Sequence, residues 1–335
     1  MGIVLSNRLQ SLQTISRIFI FCANLLALYG LIQFFDFDFL PAEIIFQKAG
    51  RIISTFENPN YFGNFLACIL PIGIGLFLSC KTNKHLLYLM VCNALLYLGI
   101  LVSGSRGAWW AALFGISLTI FGSTWQTQPK IPILKRSLFL SIIYTVITLS
   151  FSNQVIIKQT GHEDVAIGER LLSSRHILKP VETDQPGYSE YALSHRRWIW
   201  HNTLHLIQKR PVLGYGLGQF KTAFSTHHQQ TEPNSSKYET VAFAHNEGLH
   251  IAAETGLPGL LGFLGLLASI LIQIVRFLRN NSYPPHRWGL LGLVCAMLFD
   301  SQISYPLHLP LNGLIFWITL GLLLGQAQQK IKNAV

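Results

Sequence analysis

Residues 244–275 read AHNEGLHIAAETGLPGLLGFLGLLASILIQIV. From Gly256 onward the stretch is a run of about twenty mostly apolar residues, the length that crosses the hydrocarbon core of a bilayer. Just before that run stand His245, Asn246, Glu247, His250 and Glu254. A polar cluster beside an apolar span asks for chemistry at a membrane surface.

The rest of the chain supports the span. Half of its 335 residues are apolar and 12% are charged, well under the ~25% charge of a typical soluble domain. Further apolar runs fall near 15–35, 61–80, 85–103, 107–122, 134–151, 288–304 and 309–326. The expected fold is therefore an all-α polytopic membrane protein. It has about eight transmembrane helices and one long outer loop containing short amphipathic helices. The division is 1–151 (five spans), 152–255 (the loop) and 256–335 (three spans). The first run lacks a small-residue cleavage site, so it reads as a retained helix. Cys22, Cys68, Cys80, Cys92 and Cys295 all fall within predicted spans, as small buried hydrophobes do.

Charge orients the chain. With the N-terminus in the cytoplasm, the cytoplasmic segments hold twelve basic residues and no acidic one, and the short outer segments hold three basic residues, Lys48, Arg51 and Arg106, with Asp36, Asp38, Glu43 and Glu57. That asymmetry follows the positive-inside rule, with both termini cytoplasmic. The net charge of +10 is thus mostly topology. No basic–aromatic recognition stretch indicates a nucleic-acid partner.

Nine of the twelve histidines lie in the long loop. Its tracts 158–192 and 225–240 are rich in polar and turn-forming residues and read as irregular. Between them, 194–211 (SHRRWIWHNTLHLIQKRP) has an amphipathic helical pattern, with Trp198, Ile199 and Leu206 and the series Trp200–Leu204–Ile207 on a broad apolar face, stopped by Pro211. Gly214, Gly216 and Gly218 follow a helix rather than a strand, so they mark a turn and not a nucleotide loop. The 245–254 stretch reads as a short helix leading into the span.

Several side chains suit anion and proton chemistry. Arg106 lies at an outer span boundary between Gly104, Ser105 and Gly107. A lone arginine there commonly snorkels to headgroups, but its planar fork also matches the oxygens of a diphosphate. Arg196 and Arg197 stand beside Trp198 at the same expected face, as a solvated helix start or a second phosphate contact. His245 and His250 are five residues apart, about 140° around a helix, which does not suit a shared metal. His201 and His205 share a face without an evident third ligand, so no metal is expected. His245 instead suits a general base taking a proton from a hydroxyl, with Glu247 and Glu254 placed to hold or tune it. Asn58-Pro59 signals a turn. Asp300 is costly inside an apolar run and is a functional candidate for that reason, with Tyr305 and His308 just beyond.

Taken in order, NPN at 58–60, SRGAW at 105–109, the RRWIW and glycine pattern over 196–220 and HNEGLHIAAETGLPG at 245–259 resemble the O-antigen ligase and polymerase superfamily. SYPLHLPL near the end is similar to a Tyr-Pro-Leu feature of its protein-glycosylating members. The resemblance makes the long outer loop a periplasmic loop. It implies an inner-membrane enzyme that transfers a glycan, with inversion, from undecaprenyl diphosphate to an acceptor hydroxyl at the periplasmic face. No metal or nucleotide cofactor is implied. The acceptor would be a glycolipid, a polysaccharide or a protein, for a ligase, polymerase or protein O-oligosaccharyltransferase respectively, and membrane lipids are the other partners. His245 is then the general base. Arg106 and Arg197 or Arg196 hold the donor diphosphate, and Asn246, Glu247, Glu254, Asn60 and Asp300 support them. Members of the superfamily usually have around a dozen spans, so the chain is expected to be a short member or one lacking N-terminal spans. Two other classes fit less well: an inorganic-anion transporter of the bicarbonate type, and a non-catalytic assembly protein.

Overall fold

A computed structural model describes residues 9–37, 51–157, 165–173, 188–231, 241–279 and 284–332. Five long helices come first: α1 (Leu9–Phe34), α2 (Pro59–Ser79), α3 (Asn83–Val102), α4 (Arg106–Gln126) and α5 (Ile131–Phe151). A small antiparallel pair, β1 (Val155–Ile157) and β2 (Val165–Ala166), precedes α6 (Ile167–Ser173). Then come α7 (Tyr188–Lys209), α8 (Phe220–Thr231), α9 (Glu247–Arg279), α10 (Pro285–Asp300), a 3-10 turn at Pro306–His308 and α11 (Pro310–Lys332). The protein is a helical, multi-pass membrane protein, and among the described residues seven helices are long and apolar enough to cross a bilayer.

The eighth expected span, 288–304, corresponds to α10, which begins three residues earlier and ends four earlier, at Asp300. At 16 residues and 1.5 Å per residue it is about 24 Å long, under the ~30 Å of a hydrocarbon core. The loop also holds more regular structure than its composition indicated. β2 and α6 lie within the 158–192 tract, and α8 extends through 225–231. Apart from the start of α7 at 188–192, the remainder of both tracts, with His162 and His176, lies outside the described residues, as do Asp38, Glu43 and Lys48.

The chain forms two compact units, one of residues 1–174, 273–300 and 309–335 and one of 175–272 and 301–308. In the first, α2 is buried along nearly its whole length, packed against α4 and α10. Lipid gives helices no hydrophobic reason to associate, so small residues that let backbones approach hold such contacts together. Here a side chain at Gly289 would come within 2.6 Å of the Pro71 carbonyl, and one at Gly115 within 2.9 Å of Ala296. Arg136, read from sequence only as a topology charge, has a local task as well. Its Nη1 donates to the Leu78 and Cys80 carbonyls at 3.0 and 2.7 Å, covering acceptors that the end of α2 leaves open.

In the second unit, Ile199, Leu206 and Ile207 of α7 are buried with Phe220 and Phe224 of α8 and Ala252 and Ala253 of α9. Leu204, assigned to the apolar face of α7, is 47% exposed, so the buried stripe is narrower than the sequence pattern. The glycine turn is as expected. Gly214, Gly216 and Gly218 all have positive φ, and Tyr215 and Gly216 donate to the Ala253 and Glu254 carbonyls at 2.9 and 2.8 Å. The short helix before the span is also present: α9 breaks at Gly256 (φ 74°, ψ 177°), two residues before Pro258.

Candidate functional site

His245 precedes α9 with φ of 52°, a conformation uncommon for a residue with a side chain. The next two residues explain why the chain turns there. Asn246 caps α9, its Oδ1 accepting from the Leu249 N–H at 2.9 Å, while its Nδ2 donates to the Gln302 carbonyl at 3.0 Å. Glu247 sits in the first helical turn, where negative charge is favoured. Its N–H donates to Ser301 O at 2.8 Å, its Oε1 accepts from Leu307 N–H at 3.1 Å and its Oε2 pairs with His308 Nδ1 at 2.9 Å. Two residues of the motif thus fasten the 301–308 segment beside the third.

That segment supplies aromatic neighbours. Tyr305 meets the His245 ring edge-on, centroids 4.9 Å apart, and stacks on Phe243 at 4.3 Å. His308 packs against His250 at 4.5 Å. Burial pushes the His245 pKa down to about 3, helped by the charge of Arg196 and by His195. Its Nδ1 is buried with no hydrogen-bond partner among the described residues. The ring is therefore neutral through the physiological range and carries a free nitrogen.

Arg196 is half-buried and acts on His245, whereas Arg197 is exposed. The carboxylates expected to tune His245 are engaged elsewhere. Glu247 serves His308 and Leu307, and Glu254 accepts from the Phe220 N–H at 3.1 Å and pairs with His250 at 3.5 Å. His201 and His205 do meet, Nε2 to Nε2 at 3.1 Å. Among the described residues no group of three or more His, Cys, Asp or Glu is placed to hold a metal ion.

The first unit carries the other candidates. Arg106 opens α4 and is 9% exposed. It follows Ser105, whose Oγ caps the helix by accepting from Ala108 N–H at 3.4 Å. Two further arginines, neither singled out from sequence, hold the loop ahead of it. Arg51 donates from Nε and Nη2 to the Ser103 carbonyl at 3.1 and 2.6 Å, and from Nη2 to Asn60 Oδ1 at 3.1 Å. Arg170 Nε donates to the Gly104 carbonyl at 2.6 Å. Both are at least nine-tenths buried. Gly104 has φ of 63°, and a side chain there would lie 3.4 Å from Arg51 Nε and 3.6 Å from Arg170 Nε. Asn60 is explained by this: it accepts from Arg51 within a turn that Asn58 caps through the Asn60 N–H at 2.9 Å. Asp300, fully buried, ends α10 in this unit.

Comparison with known proteins points one way. Residues 91–264 match a family described as O-Antigen ligase, a span that includes Arg106, Arg170, Arg196, Arg197 and His245. The chain is 29% identical over 211 residues to a Rickettsia conorii protein named "Putative polysaccharide ligase", covering 63% of this chain and 44% of that one. It is 25% identical over 296 residues to a "ComP-specific O-oligosaccharyltransferase" of Acinetobacter baylyi, covering 85% of this chain and 46% of that one. The chain spans less than half the length of these relatives.

Proposed function

The chain belongs to the O-antigen ligase family, and from that premise we propose that it transfers a glycan from undecaprenyl diphosphate to an acceptor hydroxyl at the outer face of the inner membrane. The observation that carries this reading is His245: a neutral imidazole with an unpartnered nitrogen, set in an uncommon backbone conformation and facing the charge of Arg196.

In the proposed step the acceptor oxygen attacks the anomeric carbon from the face opposite the diphosphate. The carbon–oxygen bond to the diphosphate breaks, its electron pair stays on the leaving phosphate oxygen, and the hydroxyl proton passes to His245. The products are the glycosylated acceptor, with inverted configuration, and undecaprenyl diphosphate. Arg106 and Arg196 would stabilise the charge that grows on the leaving group, at about 3 kcal/mol for one well-placed donor. A base with pKa near 3 is weak, and general bases work best with a pKa near the working pH. The donor itself supplies the correction. Its phosphates would offset the Arg196 charge that disfavours the imidazolium, raising His245 when substrate is bound.

The acceptor is taken as a polysaccharide or glycolipid hydroxyl, following the ligase-named relative, with a protein hydroxyl as the variant suggested by the oligosaccharyltransferase. The test is complementation of a ligase-deficient strain with wild type, His245→Ala and Arg106→Ala at matched membrane abundance. Restored surface glycan with wild type, and accumulated lipid-linked donor with both variants, supports the assignment. Normal attachment by both variants refutes it.

A further inference from the structure

We propose that the first unit binds one anionic glycerophospholipid in the cavity between α1, the end of α2 and the start of α3, with Arg17 and Lys81 on its headgroup phosphate. The cavity lies at the start of α3, whereas Arg106 follows the end of that helix. The 20 residues of α3 separate the two by about 30 Å. By the orientation expected from charge, the cavity is at the cytoplasmic leaflet.

The cavity has a volume of about 680 Å³, within the ~300–1,000 Å³ usual for ligand sites. Its lining is graded along the helices. Arg17 of α1, Lys81 of the link before α3 and His85 of α3 stand at the helix ends. One turn further along the same faces lie Phe21, four residues after Arg17, and Tyr88, three after His85. Leu76 and Leu89 are buried at its wall. Ile18, Phe21 and Tyr88 line it too, each about half exposed on a helix apolar enough to span the membrane. The deeper part therefore opens sideways, where lipid chains lie. From Gln13 to Phe21 the lining runs about 12 Å along α1, which takes a headgroup and the first part of its chains.

Charge selects the occupant. A basic residue at a helix end commonly snorkels into the headgroup layer by itself. Here Arg17 and Lys81, from separate elements and both exposed, meet at one cavity. His85 stands beside them, its Nδ1 2.7 Å from Thr82 Oγ1. Among the described residues no acidic side chain lines the cavity. A phosphatidylglycerol headgroup brings net negative charge to these cations. A phosphatidylethanolamine headgroup adds an ammonium that both cations repel and no carboxylate of the lining receives. Basic pockets between membrane helices at the cytoplasmic side take anionic headgroups for this reason. A free phosphate ester would meet the cations but leave Ile18, Phe21 and Tyr88 without a partner chain. A lipid matches both parts of the lining.

The experiment titrates the purified full chain, in a non-ionic detergent, with dioleoyl phosphatidylglycerol, dioleoyl phosphatidylethanolamine or glycerol phosphate, and counts bound molecules by native mass spectrometry. Arg17→Gln and Lys81→Gln weaken the head, and Ile18→Trp narrows the slot. Lys84→Gln is the control, a neighbouring cation outside the lining. All four positions are exposed, so the helix packing is kept. Phosphatidylglycerol should bind about tenfold more weakly in the first three variants and within about twofold of wild type in Lys84→Gln. Arg17→Lys, which keeps the charge, should recover most of the loss. Unchanged phosphatidylglycerol binding in both Arg17→Gln and Lys81→Gln overturns the proposal. So does an equal loss in Lys84→Gln, which would mean diffuse surface charge. Equal binding of phosphatidylethanolamine would make this a bulk-lipid groove, and displacement by an equal concentration of glycerol phosphate a site for a soluble ester. Either result overturns it as well.

Discussion

Glu247 Oε2 lies 2.9 Å from His308 Nδ1, and this pair fixes the segment that lays Tyr305 against His245. The carboxylate raises the His308 pKa, mainly through the hydrogen bond itself, against an opposing contribution from burial. The charged pair is therefore fully formed below the ordinary histidine value of about 6.5 and is lost as pH rises through the higher folded value. Hydrogen exchange of residues 301–308 should quicken as pH is raised through that value, beyond the intrinsic pH effect. In Glu247→Gln that extra acceleration should vanish and the segment should be loose throughout.

Arg196 and Arg197 should separate in their effect on His245. Arg196 disfavours the imidazolium, so Arg196→Gln should raise the His245 pKa from about 3, as followed by histidine NMR. Arg197→Gln, at an exposed position, should leave it nearly unchanged. Saturating donor should also raise it, through its phosphates. In the free protein His245 stays neutral at every pH above about 3, so mild acidity should not protonate it.

Arg51 holds the loop before Arg106 by three hydrogen bonds to two groups. Arg51→Ala should cost about 2 kcal/mol, the loss of charged hydrogen bonds in a buried setting. Exposure of a cysteine placed at Ser105 to a thiol reagent should rise with it. Arg51→Lys should recover only part of this, because a point charge cannot reproduce the fork.

The sequence made the membrane helices legible because twenty-residue apolar runs have few other uses. The span at α10 was placed a few residues too late, its end set beyond Asp300, where the helix stops. His245 and Arg106 could be singled out as candidates from their motifs. Arg170 was not, because it donates to a carbonyl 66 residues away in sequence, and no local pattern encodes that. The same holds for Glu247. It stands two residues from His245 in sequence, yet its partner is His308, reached only when the segment after α10 returns to α9.

Gly256 and Gly262 offer a paired test of the break in α9. At Gly256 a side chain would collide with the Val212 carbonyl, and φ is 74°; at Gly262 nothing lies within 4 Å. Gly256→Ala should lower stability by at least the ~1–2 kcal/mol of a left-handed backbone, with reduced membrane abundance. Gly262→Ala should be neutral or stabilise by up to about 1 kcal/mol, through helix propensity. Thermal unfolding in detergent would show the opposite signs.

The central claim, that His245 takes the acceptor proton, is tested most directly by transfer rates in proteoliposomes containing purified chain, undecaprenyl-diphosphate-linked glycan and acceptor. His245→Ala should slow the chemical step by about 10²–10⁴-fold, the usual contribution of a general base, with donor binding nearly unchanged. A rate within a few-fold of wild type would contradict the account.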